Sequence, residues 1–225
     1  MSKLILFHGS SDIIERPVFG KGKAYNDYGM GFYCTEHQEL AMEWACSEGQ
    51  DGYANRYEME TDTLKILNLS SAEYSILNWL AILMKNRVGR LSTPVARRGR
   101  EYLIRNFLPE TEGYDAIIGY RADDSYFSFA RSFVSNEISL QQLGAAMRLG
   151  KLGEQFVLKS RKAFDLIRFR DYAVADNAIY YVKRRARDEN ARSAYLRELE
   201  TDDLDGIFMR DIIREGVQGN DLRIR

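Results

Sequence analysis

Few of the residues that announce a fold or a cofactor at a glance are plentiful here. The 225 residues include two cysteines, two histidines, three prolines and two tryptophans. Cys34 and Cys46 are too few for a disulfide framework, and no Cys/His spacing resembles a zinc site. No metal centre is therefore expected, and a reducing cytosol is; each thiol reads as a small core residue. Apolar runs are short as well. "MSKLILFHGSS" offers four apolar residues before His8, and "ILNWLAILM" (76–84) has the length of a buried helix segment. Neither a signal peptide nor a membrane span is expected. Neither sign of charge is in excess: 32 Lys and Arg face 33 Asp and Glu, a net charge of -1, so a polyanion would have to be met by a local patch. There is no GxGxxG or GxxxxGK[ST] loop, which removes the usual support for a dinucleotide-binding or P-loop reading. The scarcity of proline and serine clusters argues against a flexible linker, and no internal repeat is found. These absences leave a soluble cytoplasmic protein without a membrane partner.

What is present is a 45% hydrophobic composition, enough for a sizeable core. "KLILFH" reads as a buried strand followed by a Gly-Ser turn, and "FYCT" as a second, short strand. "TEHQELAMEWACSEG" reads as a helix capped by Thr35, with Leu40, Ala41, Trp44 and Ala45 on its apolar face and Gly49 as its stop. "YANRYEME" alternates like a half-buried strand, with "LKILNL" as its partner across the turn "TDT". Ser71 opens a long helix, separated near Pro94 from "ARRGREYLIRNFL". Beyond Pro109 come a strand "YDAIIGY", helices "DDSYFSFARSFVSNE" and "SLQQLGAAMRLG", a strand "EQFVLKS", and "RKAFDLIRF", a helical turn entering a final strand. Strands and helices mix without a regular beat, which predicts an α+β fold. The character changes after Phe169. We expect a domain over 1–169 and a helical C-terminal extension over 170–225 docked on it, with a charged helix around 183–193 and Ile207, Phe208, Ile212 and Ile213 on one helix face.

The stretch "DYGMGFYCT" (27–35) fits neither helix nor strand statistics. Glycines at 29 and 31 would let the backbone take positive φ and a ligand come close, and Tyr33 would then leave on a rigid strand as a stacking platform for a flat heterocycle. A tight turn feeding an ordinary core tyrosine is the alternative. His8 ends an apolar strand just before Gly9 and Ser10, whose small size would leave room for a ribose hydroxyl at the imidazole; a structural histidine at a strand end is the plainer reading. Asp27 is expected to order the glycine loop through backbone N–H groups, as in an Asx turn.

"LFHGSSDIIERP", "DYGMGFYCT", "QELAMEWA", "LNWLAILMKNR", "YDAIIGYRADDSYF" and "GEQFVLKSRKAFDLIRF" follow in that order. Together they resemble a bacterial family catalogued as a domain of unknown function within the ADP-ribosyltransferase-like superfamily, over about residues 3–169. The resemblance implies a split, mixed β core clasping NAD, with no metal. It implies a histidine on a ribose, a tyrosine stacked on nicotinamide, and a glutamate or its replacement accepting a bond from the nicotinamide ribose 2′-OH. Carried over, these are His8, Tyr33 and Gln155, with Gly9, Ser10, Asp27, Gly29, Gly31, Phe32, Asp123 and Asp124 as further NAD contacts. Glu154 adjoins Gln155, but neighbours on a strand face opposite sides, and the family's motif carries glutamine at the chosen place. The activity implied is mono-ADP-ribosyl transfer by a toxin-type effector, with a nucleic-acid or protein acceptor and an antitoxin protein as partner. A module that binds NAD or ADP-ribose without turnover is the alternative.

The chemistry breaks the bond between ribose C1′ and nicotinamide through an oxocarbenium-like state. Glutamine keeps a hydrogen bond but not the charge of a carboxylate. Asp123 or Asp124 could supply that charge or act as base for the acceptor; equally, Asp123 could cap the helix that begins near Ser125. Arg121 and Arg131 are candidates for the NAD phosphates. "ARRGR" (96–100) and "KRRAR" (183–187) are basic patches without interleaved aromatics, and so read by default as solvated helix faces.

Overall fold

The computed structural model describes residues 3–87, 89, 91–122, 124–149, 153–200, 203 and 205–224. The fold is α+β, with two sheets. One contains β1 (Lys3–Ser10), β3 (Gly52–Glu60) and β7 (Ile167–Ala175), all antiparallel in the order β1-β3-β7. The other runs β2-β6-β5-β4, from β2 (Phe32–Cys34), β6 (Glu154–Leu158), β5 (Ala116–Tyr120) and β4 (Ile66–Asn68). The edge strands β1 and β2 meet where Phe7 and Thr35 exchange backbone hydrogen bonds of 2.7 and 2.9 Å.

Period-two alternation sets what each strand offers to either side. Leu6, Tyr57 and Met59 of the first sheet pack against Phe32, Cys34, Phe156 and Leu158 of the second, filling the space between them. Burying each such side chain contributes about 1.5–3 kcal/mol. Phe7 and Ala54 point the other way, against Ala41, Met42 and Ala45 of α1 (Gln38–Ala45). The outer face of the second sheet is covered by α2 (Ile76–Asn86), α3 (Pro94–Phe107), α4 (Asp124–Val134) and α5 (Leu140–Ala146). Trp79 is buried there, its Nε1 donating to the Tyr120 carbonyl at 3.0 Å.

Several local expectations need correction. The segment "LKILNL" is not the hairpin partner of β3: β4 pairs in parallel with β5, in the other sheet. Thr35 does not cap α1, whose N-cap is His37; its hydroxyl instead accepts from the His37 N–H at 3.2 Å. The long helix opens at Ser75 rather than Ser71, through a capping box with Asn78. Trp44 leaves the apolar face of α1 and stands half-buried, while Glu43 is buried and held by Arg187 through two bonds of 2.8 and 2.7 Å. That pair joins α1 to α7 (Asn177–Leu199). β7 follows α6 (Arg161–Leu166) and continues past position 169 to Ala175, so the C-terminal segment begins as a strand. After α7, α8 (Met209–Glu215) packs on α3, where Gly99 leaves space for Met209.

No helix among the described residues is long and apolar enough to cross a membrane. Among them, no group of three His, Cys, Asp or Glu side chains could hold a metal ion.

Candidate active site

Where β1 and β2 part there is a cavity of about 720 Å³, within the range of roughly 300–1,000 Å³ usual for small-molecule sites. His8, Gly9, Asp27, Gly31, Phe32, Tyr33 and Gln155 all line it. Ser10 and Gly29 do not: the Ser10 hydroxyl faces Asp12 and Asn55, and Gly29 packs beside Asn86. Asp123 lies outside the described residues. Asp124 is the first residue of α4. Arg121 is at the cavity, whereas Arg131 is exposed on α4 away from its lining.

His8 shares a strand face with Leu6 and so looks toward the second sheet. Its Nδ1 lies 2.6 Å from the Tyr33 carbonyl. A carbonyl only accepts, so Nδ1 carries the proton and Nε2 presents a lone pair. Burial lowers the His8 pKa from its ordinary value, opposed by the Tyr33 bond and assisted by Arg121, and the ring is neutral at neutral pH. Phe32 stacks on it at 4.2 Å between centroids. Opposite His8 on β3, the Asn55 amide donates to the His8 and Asp12 carbonyls and accepts from the Ile14 N–H, fixing the chain as it leaves β1.

Tyr33 and Gln155 share the outer face of the second sheet. The Tyr33 hydroxyl donates to the Gly29 carbonyl at 2.5 Å and accepts from the Tyr28 N–H at 3.0 Å, so the ring is clamped over the glycine loop. Gly29 has φ of +73°, as the turn requires. Gly31 does not take positive φ, contrary to expectation. A Cβ there would come within 2.7 Å of Val157 and 2.8 Å of the Leu158 carbonyl, so its bare backbone serves to pack the loop against β6. Gly9 likewise gives its open side to α1, where a Cβ would sit 2.0 Å from the Ala41 carbonyl oxygen.

Asp27 departs furthest from expectation. Its carboxylate makes no Asx turn but reaches out of the loop. Oδ2 accepts from the Ala122 N–H and from Gln155 Nε2, both at 2.9 Å, and Oδ1 lies 3.5 Å from Arg87. Burial pushes the Asp27 carboxyl up, restrained by Ala122, Arg87 and Gln155. This contact also settles which way the Gln155 amide points. The NH₂ group faces the carboxylate, and Oε1, with no partner among the described residues, is left for the cavity. Glu154 is exposed and accepts from the Ser70 hydroxyl. The cavity wall thus carries an imidazole acceptor, a clamped phenol ring, and a carboxamide oxygen backed by a carboxylate.

Residues 4–169 match a family model described as "Protein of unknown function (DUF3990)". The chain belongs to that family. No curated protein and no solved structure matches it. The matched span of DUF3990 contains His8, Asp27, Tyr33 and Gln155 and ends inside β7.

Around this DUF3990 core, Arg121 lines the cavity as the sequence suggested, while Trp44 and Arg87 carried no sequence signal for it. Trp44 turns to the cavity with the Arg121 guanidinium stacked on its ring. Arg87 is drawn in from the end of α2 by Asp27 and the Ala122 carbonyl. The basic runs disperse: Lys183 pairs with Glu39, Arg185 with Glu189 and Arg187 with Glu43, while Arg184 lines the cavity. In α3, Arg97 and Arg100 donate to backbone carbonyls of Leu91, Ser92 and Met84. Both cysteines are buried free thiols with pKa values pushed up by burial, which leaves them unreactive.

Lys159 holds the glycine loop from outside, its Nζ donating to the Tyr28 and Met30 carbonyls at 2.6 and 2.5 Å. Burial lowers its pKa from 10.5 to about 8. Between those values the unfolded chain keeps a proton that the folded chain has released, so the stability this group confers rises with pH across that window. Wild type is expected to gain on a Lys159→Met variant in urea midpoint between pH 7 and pH 9.5. A difference that stays flat over that range would contradict the assignment.

Proposed function

We propose that the protein is an NAD-dependent mono-ADP-ribosyltransferase, a toxin-type effector acting on a nucleic-acid or protein acceptor. One observation carries the reading: His8, Tyr33 and Gln155, from three strands in two sheets, line a single nucleotide-sized cavity. His8 Nε2 is placed to accept from a ribose hydroxyl. The Tyr33 ring, unable to swing because both hydroxyl partners belong to the loop, offers a stacking face to nicotinamide. Gln155 Oε1 accepts from the nicotinamide ribose 2′-OH. Six cations and one acid line the cavity among the described residues, against a net charge of -1 for the whole chain. That local excess suits a diphosphate.

In the transfer, the C1′–nicotinamide bond breaks and its electron pair leaves with the ring nitrogen. The acceptor's oxygen or nitrogen bonds C1′ and gives its proton to a base or to solvent. Cationic charge on the ribose peaks between these events. Gln155 is neutral, but Asp27, hydrogen-bonded to it, holds a carboxylate one contact further back, and a preorganised charge in a water-poor site is worth far more than in bulk.

The replacement of a glutamate by Gln155 also favours a second reading, an NAD- or ADP-ribose-binding module without turnover. Labelled NAD incubated with purified protein and cell extract separates the two. Transfer of label and release of nicotinamide, both abolished by Tyr33→Ala, are expected; NAD binding without release would establish the binding module. As a toxin-type effector the protein would arrest growth when produced alone, and an antitoxin partner would relieve the arrest.

A further inference from the structure

The loop between β1 and β2 does more than close the cavity. Over residues 16–25 it lays exposed cations and exposed rings side by side. Arg16, Lys21 and Lys23 line the mouth of the cavity, and their side chains make no hydrogen bond or ion pair among the described residues. Between and beside them stand Phe19 and Tyr25, 42% and 58% exposed. Phe19 is braced edge-on against Phe164, with Arg161 over its ring, so it is held outward rather than collapsed. Gly22 keeps the loop close: a Cβ there would meet the Gly31 carbonyl oxygen at 2.5 Å. The lip is thereby tied to the glycine loop beneath Tyr33. Unlike the basic runs of α3 and α7, whose cations are largely engaged, this one sets free cations among exposed aromatic rings.

We propose that this lip is a binding platform for single-stranded nucleic acid, and that the strand is the acceptor. Free cations beside the exposed Tyr25 ring and the uncovered part of Phe19 suit a chain of phosphates with unpaired bases, each base having a face to stack. A duplex hides those faces, and an acidic peptide would use the charges but not the rings. The platform borders the cavity, so a bound strand has a nucleotide beside the place where C1′ becomes electrophilic. The inference rests on the transferase reading for the purpose of the platform, but not for its existence.

The test is fluorescence anisotropy with labelled 12-nucleotide DNA and RNA single strands, the corresponding duplexes and a poly-glutamate peptide, without NAD. Single strands are expected to bind at least about tenfold more tightly than duplex or peptide at ~0.1 M salt, and the DNA and RNA arms identify the sugar preferred. In a Lys21→Gln/Lys23→Gln variant the slope of log affinity against log salt should fall by about 1.4. Tyr25→Ala should weaken binding about fivefold or more. Tyr33→Ala should leave strand binding unchanged while losing NAD turnover. Equal affinity for duplex, tighter binding of the peptide, or a salt slope indifferent to the two lysines would overturn the platform. Strand binding without NAD turnover would leave the platform standing and remove the transferase reading; NAD turnover without strand binding would do the reverse.

Discussion

An Asp27→Asn variant is expected to lose on the order of 10²-fold in nicotinamide release while remaining folded. The substitution is nearly isosteric, and the amide oxygen it introduces can still accept from the Ala122 N–H. What disappears is the negative charge 2.9 Å from the Gln155 amide, carried by the one carboxylate that lines the cavity among the described residues. Gln155→Glu alone sets two carboxyl groups at hydrogen-bond distance, where like charges force them to share a proton; the pair keeps one negative charge and should retain more turnover than Asp27→Asn. Exchanging both, Asp27→Asn with Gln155→Glu, restores one negative charge, but since a single Asp27 oxygen accepts from both Ala122 and Gln155, the new amide can satisfy only one of them and recovery should be partial. Nicotinamide release from the four proteins forms a double-mutant cycle. If Asp27→Asn kept full turnover, or the double variant were no better than the worse single one, the paired role would be refuted. The raised Asp27 pKa adds a sign: protonation removes the charge, so activity should fall on the acid side at a higher pH than an exposed aspartate would give.

Gly9→Ala is expected to be the most damaging single methyl group that can be added next to the site. The new Cβ would fall 2.0 Å from the Ala41 carbonyl oxygen and 2.9 Å from the Ala45 backbone nitrogen. Both obstacles are backbone, so α1 or β1 must move. Overpacking of this kind costs about 3 kcal/mol or more. Since His8 is the preceding residue, NAD affinity should drop together with the urea midpoint. Gly219→Ala, where nothing lies within 4 Å of the added carbon, serves as the control and should change neither. A Gly9→Ala protein as stable as wild type would mean that the helix does not sit on the strand as described.

The strands that build the site could be read from sequence because each is an apolar run ended by polar or glycine residues. His8 and Tyr33 stood out for the same reason, as polar groups at or in such runs. The pairing of β4 was hidden: the three-residue "TDT" suggests a hairpin, whereas the actual neighbour, β5, is almost fifty residues away. The continuation of β7 was hidden too, since "RFRDYAVA" lies on a sheet edge and alternates only weakly. Asp27 gave the wrong signal, because an acid before Tyr-Gly looks local while its partners, at 87, 122 and 155, come from three distant segments. Trp44 looked like core because helical spacing cannot distinguish a ring against a sheet from a ring at the rim of a cavity.

The border between β1 and β2 has a mechanical consequence. At that seam the two halves of the molecule are stitched by the reciprocal bonds of Phe7 and Thr35 and by the imidazole reaching across to Tyr33. A guest gripping His8 on one bank and Gln155 on the other would act as mortar. Its departure would leave the joint free to breathe, so heat tolerance and occupancy should climb in step.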